Sequence, residues 1–183
     1  VSEIVNEVLA RYDWLFEDKE INLIVDVADD IEIEADSGKL EKIFNNLISN
    51  AYKHTSKGDK ISVSASRRPG YVHFCIEDSG EGIAADQLPH IFDRFFTGHS
   101  YDMYSSGVGL SFVKSLIEQH GGTISASSEY GKYTKMEFEL PYTVNDAASL
   151  EEKSAEEYKK EYEKMRSLES EPMNLDFDKE EYQ

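Results

Sequence analysis

Three sets of residues in this chain have side chains and spacings that could do chemistry. In the first, Asn46, Asn50 and Lys53 stand at i, i+4 and i+7, which at 100° per residue puts them within about 60° of one another on a helix. Two amides and an ammonium along one edge can hold a hard cation and reach an anion. Their plainer reading is two amides paired to nearby backbone and a lysine lying over apolar surface. In the second, Asp78-Ser79-Gly80-Glu81-Gly82-Ile83 follows an alternating apolar run. A carboxylate at a strand end can accept from an exocyclic amine, and Gly80 and Gly82 let the backbone approach a flat ring. In the third, Gly107-Val108-Gly109-Leu110 opens a periodic segment, where exposed amides and the helix dipole favour phosphate. Each glycine motif taken alone also fits an ordinary turn.

The elements that position these groups can be read outward from Leu40–Thr55. Leu40, Ile43, Phe44, Leu47, Ile48 and Ala51 recur at helical spacing, so one side of a helix is buried. The asparagines border that face, where an unpaired buried amide costs roughly 1–3 kcal/mol. Asp36 is a good N-cap, and the helix should end near Ser56–Gly58. Upstream, Ile4, Val5, Val8, Leu9, Tyr12, Leu15 and Phe16 predict one amphipathic helix over Val1–Lys19. Strands are then expected at Ile21–Val27 and Ile31–Ala35. Downstream, Ile61, Val63 and Ala65, then Val72, Phe74 and Ile76, read as a hairpin turned by Arg67-Arg68-Pro69-Gly70. A short helical turn at Ala85–Ile91 leads to the cluster Phe92-Asp93-Arg94-Phe95-Phe96, and Thr97–Ser106 reads as a mobile loop. Leu110, Val113, Leu116 and Ile117 mark a helix stopped at Gly121-Gly122. Strands Thr123–Ser127 and Lys135–Leu140 follow, joined at Glu129–Lys132 and closed by Pro141.

Composition bounds the classes of function. The chain has 183 residues, 39% of them hydrophobic, with 11 Tyr and 9 Phe, enough for one domain with an appendage. A formal net charge of −18 excludes a basic nucleic-acid surface. No apolar run reaches the 18 or so residues of a membrane span, so no direct membrane contact is expected of this piece, and no signal pattern opens the chain. Cys75 is the one cysteine, which rules out a disulfide framework within the chain. The start at Val1 suggests a fragment of a longer protein, and the piece itself is expected in the cytoplasm, with an inner-membrane sensor as a candidate parent. From Thr143 to Gln183 a narrow apolar stripe on charged residues, then an acidic end after Pro172, read as a helical and disordered linker.

In order and spacing, the N-x-x-x-N-A-x-K helix, the hairpin, D-x-G-x-G-I, F-x-x-F-F, a loop and G-V-G-L resemble the boxes of a sensor histidine kinase ATP-binding domain. The resemblance covers residues 1–142 and implies the α/β sandwich of the GHKL ATPase superfamily: a mixed, mostly antiparallel sheet with helices packed on one face. It implies ATP and Mg2+ as cofactors, with ATP between the asparagine helix and a lid at Thr97–Ser106. By the same resemblance Asn50 coordinates magnesium with Asn46 one turn earlier, Lys53 reaches the phosphates, and His54 stands beside the nucleotide. Asp78 reads the adenine amine, and Gly80, Gly82 and Ile83 line that pocket. Phe92, Phe95 and Phe96 anchor the lid, a core role fitting them as well. Gly107, Val108, Gly109 and Leu110 form the phosphate-cradling box.

Three positions depart from the family pattern: Ser105 where a glycine is usual, Thr97 where an arginine commonly follows the aromatic cluster, and Tyr133 where Gly131-Lys132-Tyr133-Thr134 would have a second glycine. Arg94 is then the local candidate cation for the γ-phosphate. Hydrolases of the gyrase, mismatch-repair and heat-shock chaperone type place a glutamate four residues before the magnesium asparagine. Asn46 stands there and cannot act as a base, which favours phosphotransfer. None of the histidines opens a long dimerising helix with a following acid, so the phosphoacceptor domain is expected on another part of the parent, with a response-regulator receiver as the further partner. The alternative, motivated by the three departures, is a nucleotide-sensing pseudokinase acting through protein contacts.

Overall fold

In the computed structural model, residues 1–96 and 107–142 are described. Contacts divide the chain into Val1–Leu150 and Glu151–Gln183. The expected loop over Thr97–Ser106 and the expected linker over Thr143–Gln183 lie outside the described residues.

The chain runs α1 (Ser2–Ala10), α2 (Asp13–Asp18), β1 (Asn22–Val27), α3 (Ser37–His54), β2 (Lys60–Arg68), β3 (Tyr71–Asp78), a 3₁₀ turn at Leu88–His90, α4 (Gly109–Gln119), β4 (Thr123–Glu129) and β5 (Tyr133–Pro141). The five strands form one sheet in the order β1-β2-β3-β5-β4. Only β1–β2 is parallel; β2–β3, β3–β5 and β4–β5 are antiparallel. This is the mixed, mostly antiparallel α/β sandwich that the sequence predicts.

The alternation along β2, β3 and β5 sends Ile61, Val63, Phe74, Ile76, Met136 and Phe138 to the helix side, where all are buried. They meet Leu40, Ile43, Phe44, Leu47, Ile48 and Ala51 of α3 and Val113, Leu116 and Ile117 of α4. At about 1.5–3 kcal/mol for each large apolar side chain buried, this interface is the main support of the fold. Its centre is aromatic: Phe74 and Phe138 stack at 4.6 Å with Phe44 tilted over both, at 5.6 and 5.8 Å. The other face carries Ser62, Ser64, His73, Cys75, Glu77, Lys135 and Glu137. They are half-buried and tied by ion pairs of Glu137 with Lys135 (2.8 Å) and His73 (3.3 Å). Burial pushes the Cys75 thiol upward, out of the reactive range.

Asp36 caps α3, its Oδ1 accepting from the Lys39 amide at 3.0 Å, and the helix stops at His54. Two expectations are corrected. The single helix over Val1–Lys19 is two helices broken at Arg11–Tyr12. The apolar stripe runs on in phase across the break, with Tyr12 and Phe16 stacked at 5.7 Å. The expected strand at Ile31–Ala35 forms no ladder: Ile31 is buried, and the Glu34 amide donates to Tyr142 O at 2.9 Å as an isolated bond.

Candidate nucleotide site

The three motif sets converge along one edge of α3. Near the middle of the helix, Asn46 donates its Nδ2 to Lys42 O at 2.8 Å, so the plainer reading of a backbone-paired amide is realised for that nitrogen. Its Oδ1 is turned to the start of α4, and a methyl group added at Gly109 would stand 3.1 Å from it. A side chain there would need the Asn46 amide to give by a few tenths of an ångström. α4 has no side-chain cap, and its first intrahelical bond is Phe112 N–H to Val108 O. The amides of Gly109, Leu110 and Ser111 are therefore left without helix acceptors. One turn beyond Asn46, Asn50 is half-buried, and Lys53 is exposed. Neither makes a hydrogen bond or ion pair among the described residues.

At the C-terminal end of α3, His54 is fastened to the glycine loop twice. Its carbonyl accepts from the Glu81 amide at 3.1 Å, and its Nδ1 lies 2.7 Å from Glu81 Oε1. A side chain at Gly80 would fall on that same carbonyl oxygen. Gly82 takes φ 67° and would strike the Glu129 carbonyl if it carried a Cβ. Glu81 O accepts from Gly131 N–H at 2.6 Å, and the Ile83 amide donates to Ser128 Oγ at 2.7 Å. Loop, helix end and β4–β5 turn are thereby locked together. From Asn46 to His54 the helix rises about 12 Å, so one rod carries both ends of the candidate site.

Asp78 is 5% exposed at the end of β3, between Ile61 of β2 and Thr134 of β5. Its Oδ1 accepts from the Gly80 amide at 3.0 Å. Burial pushes its carboxyl up to about 6, outweighing the Gly80 N–H and nearby His54, with Asp59 and Glu77 acting in the same direction as burial.

The aromatic cluster divides. Phe92 and Phe96 pack on the core, whereas Phe95 is 77% exposed with φ 65°. The Phe95 amide donates to Gly107 O at 2.9 Å, and Gly107, at φ 64°, has no room for a Cβ against the Phe95 backbone. The chain is thus pinched together on either side of 97–106. Arg94 is exposed and has no ion-pair partner among the described residues. Val108 is 40% exposed, and Leu110 packs on the core.

Ser128 and Glu81 shape the site without a role in the sequence reading, and Thr134 enters it only as the end of the Gly131–Thr134 turn. Thr134, 7% exposed, pairs with Asp78 in the β3–β5 register. Ser128 Oγ also donates to Tyr133 O at 2.6 Å and stands 3.4 Å from Thr134 Oγ1. Glu81 ties His54 to Gly131. For Ser128, and for the place of Thr134 beside Asp78, the signal lies in hairpin register, which sets polar residues of β4 and β5 beside the end of β3.

Residues 35–144 match the family described as Histidine kinase-, DNA gyrase B-, and HSP90-like ATPase. The chain is 36% identical over 144 residues to the sensor protein KdpD of Clostridium acetobutylicum, covering 77% of this chain and 16% of that protein. It is 40% identical over 113 residues to the sensor histidine kinase ZraS of Escherichia coli K12, covering 62% of this chain and 24% of ZraS. The chain thus spans a quarter or less of these relatives' length. The nucleotide-free catalytic domain of histidine kinase ThkA superposes with a TM-score of 0.71 at 25% identity, covering 80% of this chain and 95% of that domain. ThkA has also been solved in complex with the response regulator TrrA, and that kinase superposes with a TM-score of 0.68 over 79% of this chain and 41% of its own. No helix among the described residues is long and apolar enough to cross a membrane. The chain belongs to the family of histidine kinase-, DNA gyrase B- and HSP90-like ATPases, and its fold is that of a sensor histidine kinase catalytic domain.

Proposed function

We propose that this domain binds Mg·ATP along the exposed edge of α3 and donates the γ-phosphoryl group to a histidine on a separate dimerisation domain of the parent protein, from which a response-regulator receiver takes it. The approach of Gly109 to Asn46 Oδ1 carries this reading: it sets bare helix amides beside an amide oxygen, an arrangement suited to phosphate and a hard cation. Adenine would lie at the other end, its amine donating to Asp78, with Gly80, Gly82 and Ile83 against the ring.

The donor set fits magnesium. Asn50 offers a half-buried neutral oxygen with no partner among the described residues, and no group of three His, Cys, Asp or Glu there is arranged to enclose a metal. That suits an ion held by one or two protein oxygens, phosphates and water. Bound magnesium would neutralise charge on the β- and γ-phosphates. The chain's own part is positioning: α4 amides orient the phosphates, Lys53 supplies a mobile cation, and Arg94, exposed and without an ion-pair partner among the described residues, is the second candidate cation. No residue of this set is a strong base, and none is needed, because a neutral imidazole is itself a nucleophile. The ThkA complex with its response regulator supports the receiver as partner.

Calorimetric titration with a non-hydrolysable Mg·ATP analogue tests the site. Asn50→Ala and Lys53→Ala should each weaken binding by roughly 10-fold or more, as expected for hydrogen bonds to charged groups. Phosphorylation of the parent's helical domain supplied in trans tests the transfer. Absence of saturable binding in the unaltered chain would overturn the reading.

A further inference from the structure

Asp78 is held asymmetrically. The Gly80 amide occupies Oδ1 at 3.0 Å, and Oδ2 has no hydrogen-bond partner among the described residues. Yet among the described residues no unpaired polar side-chain atom is sealed from solvent, so Oδ2 keeps access to solvent and to a ligand arriving from it. An N–H on Oδ1 fixes which oxygen can carry a proton, since Oδ1 must remain an acceptor. A proton taken up by Asp78 therefore sits on Oδ2 and points at the ligand.

We propose that Asp78 makes this site a proton-switched purine reader: ionised, Oδ2 accepts from the amine of a 6-aminopurine; protonated, the same oxygen donates to the keto oxygen of a 6-oxopurine. The inference rests on the nucleotide-site reading above and adds to it which bases the site admits and when. The surroundings put the switch near neutrality. Burial outweighs the Gly80 N–H and lifts the carboxyl to about 6. The charged groups acting on it are His54 at the end of α3, Asp59 before β2 and Glu77 on β3, and Glu81 of the glycine loop is paired with His54 at 2.7 Å. Ile61 and Thr134, its neighbours on β2 and β5, add no charge.

The test compares Mg·ADP with Mg·IDP, whose bases differ at position 6 and whose phosphates titrate alike. Dissociation constants are measured on the full chain from pH 5.5 to 7.5, and the ratio of the IDP to the ADP constant cancels the phosphate contribution. If adenine needs the carboxylate and hypoxanthine the acid, that ratio rises about tenfold for each pH unit, roughly 100-fold from pH 5.5 to 7.5. Asp78→Asn provides the second arm. With its Oδ1 held by Gly80 N–H, the amide presents NH2 at the Oδ2 position, so the variant should favour IDP at every pH with a flat ratio. A wild-type ratio that stays constant while ADP binds would overturn the switch and leave the nucleotide site standing. Failure of both ligands to bind at any pH would overturn the site and the switch together.

Discussion

At the scale of single residues, Asp78 sets function against stability. A carboxyl whose pKa is raised to about 6 in the folded chain, against 3.8 as its ordinary value, favours folding fully below about pH 3.8. That contribution is lost as pH rises through 6. Two pKa units correspond to about 3 kcal/mol given up at neutral pH. Asp78→Asn removes the buried charge while keeping an acceptor for Gly80 N–H. Urea denaturation at pH 7.5 should show the variant more stable by about 1–3 kcal/mol, with the advantage shrinking as pH falls toward 4. Nucleotide affinity should move the other way. Asp78 could be picked out as a candidate, because a carboxylate before two glycines at a strand end can accept from an amine, although the motif taken alone also fits an ordinary turn. Ser128 and Glu81 could not, and Thr134 only as the end of the Gly131–Thr134 turn, since their importance lies in which strand end and turn they meet in space, and a sequence states no register between β3 and β5.

At the scale of elements, α3 was the most legible part of the chain. Its six buried residues keep the helical period, Asp36 caps it, and its asparagines fall at the border of the buried face as their spacing requires. The break between α1 and α2 was invisible for the converse reason: the stripe through Tyr12 and Phe16 keeps phase, and neither Gly nor Pro marks the bend. At Ile31–Ala35 the alternation with Glu32 and Glu34 is that of a strand, but pairing needs a neighbouring edge, and among the described residues the segment finds separate partners instead, Tyr142 O for the Glu34 amide and the Val1 amine for Ile31 O. The joint between α3 and the glycine loop depends on the missing side chain at Gly80, whose backbone meets His54 O. Gly80→Ala should force the loop off the helix end, costing about 1–3 kcal/mol as overpacking does. Denaturant midpoints, read together with nucleotide affinity, would check this; an unchanged midpoint would mean the joint gives way freely.

For the whole molecule, two hairpins, β2–β3 and β4–β5, are local, and the sheet becomes one only where β3 meets β5 across more than fifty residues of chain. The strand order itself was beyond the sequence, because alternation identifies strands and says nothing of which non-adjacent ones pair. Where the folded unit ends can be tested by cutting. Tyr142 is held at both backbone groups, its amide donating to Gly70 O at 3.2 Å and its carbonyl accepting from Glu34 N–H. Removal of 143–183 should leave the thermal midpoint unchanged, as should removal of 151–183. A fall with the longer cut alone would assign 143–150 to the domain.

The β3–β5 seam also orders events in time. Asp78 and Thr134 are seam partners, so the adenine end of the proposed site does not exist until the two hairpins have closed the longest loop in the sheet. Loop-closing steps of this kind are slow and come late. A ligand that needs the finished seam can hold the native state but cannot help the chain climb to its barrier. Saturating nucleotide should therefore lower the unfolding rate in a stopped-flow chevron and leave the refolding rate where it was. With ATP in the proposed site, the domain would be kept folded kinetically by its own ligand, lasting longest when ATP is plentiful.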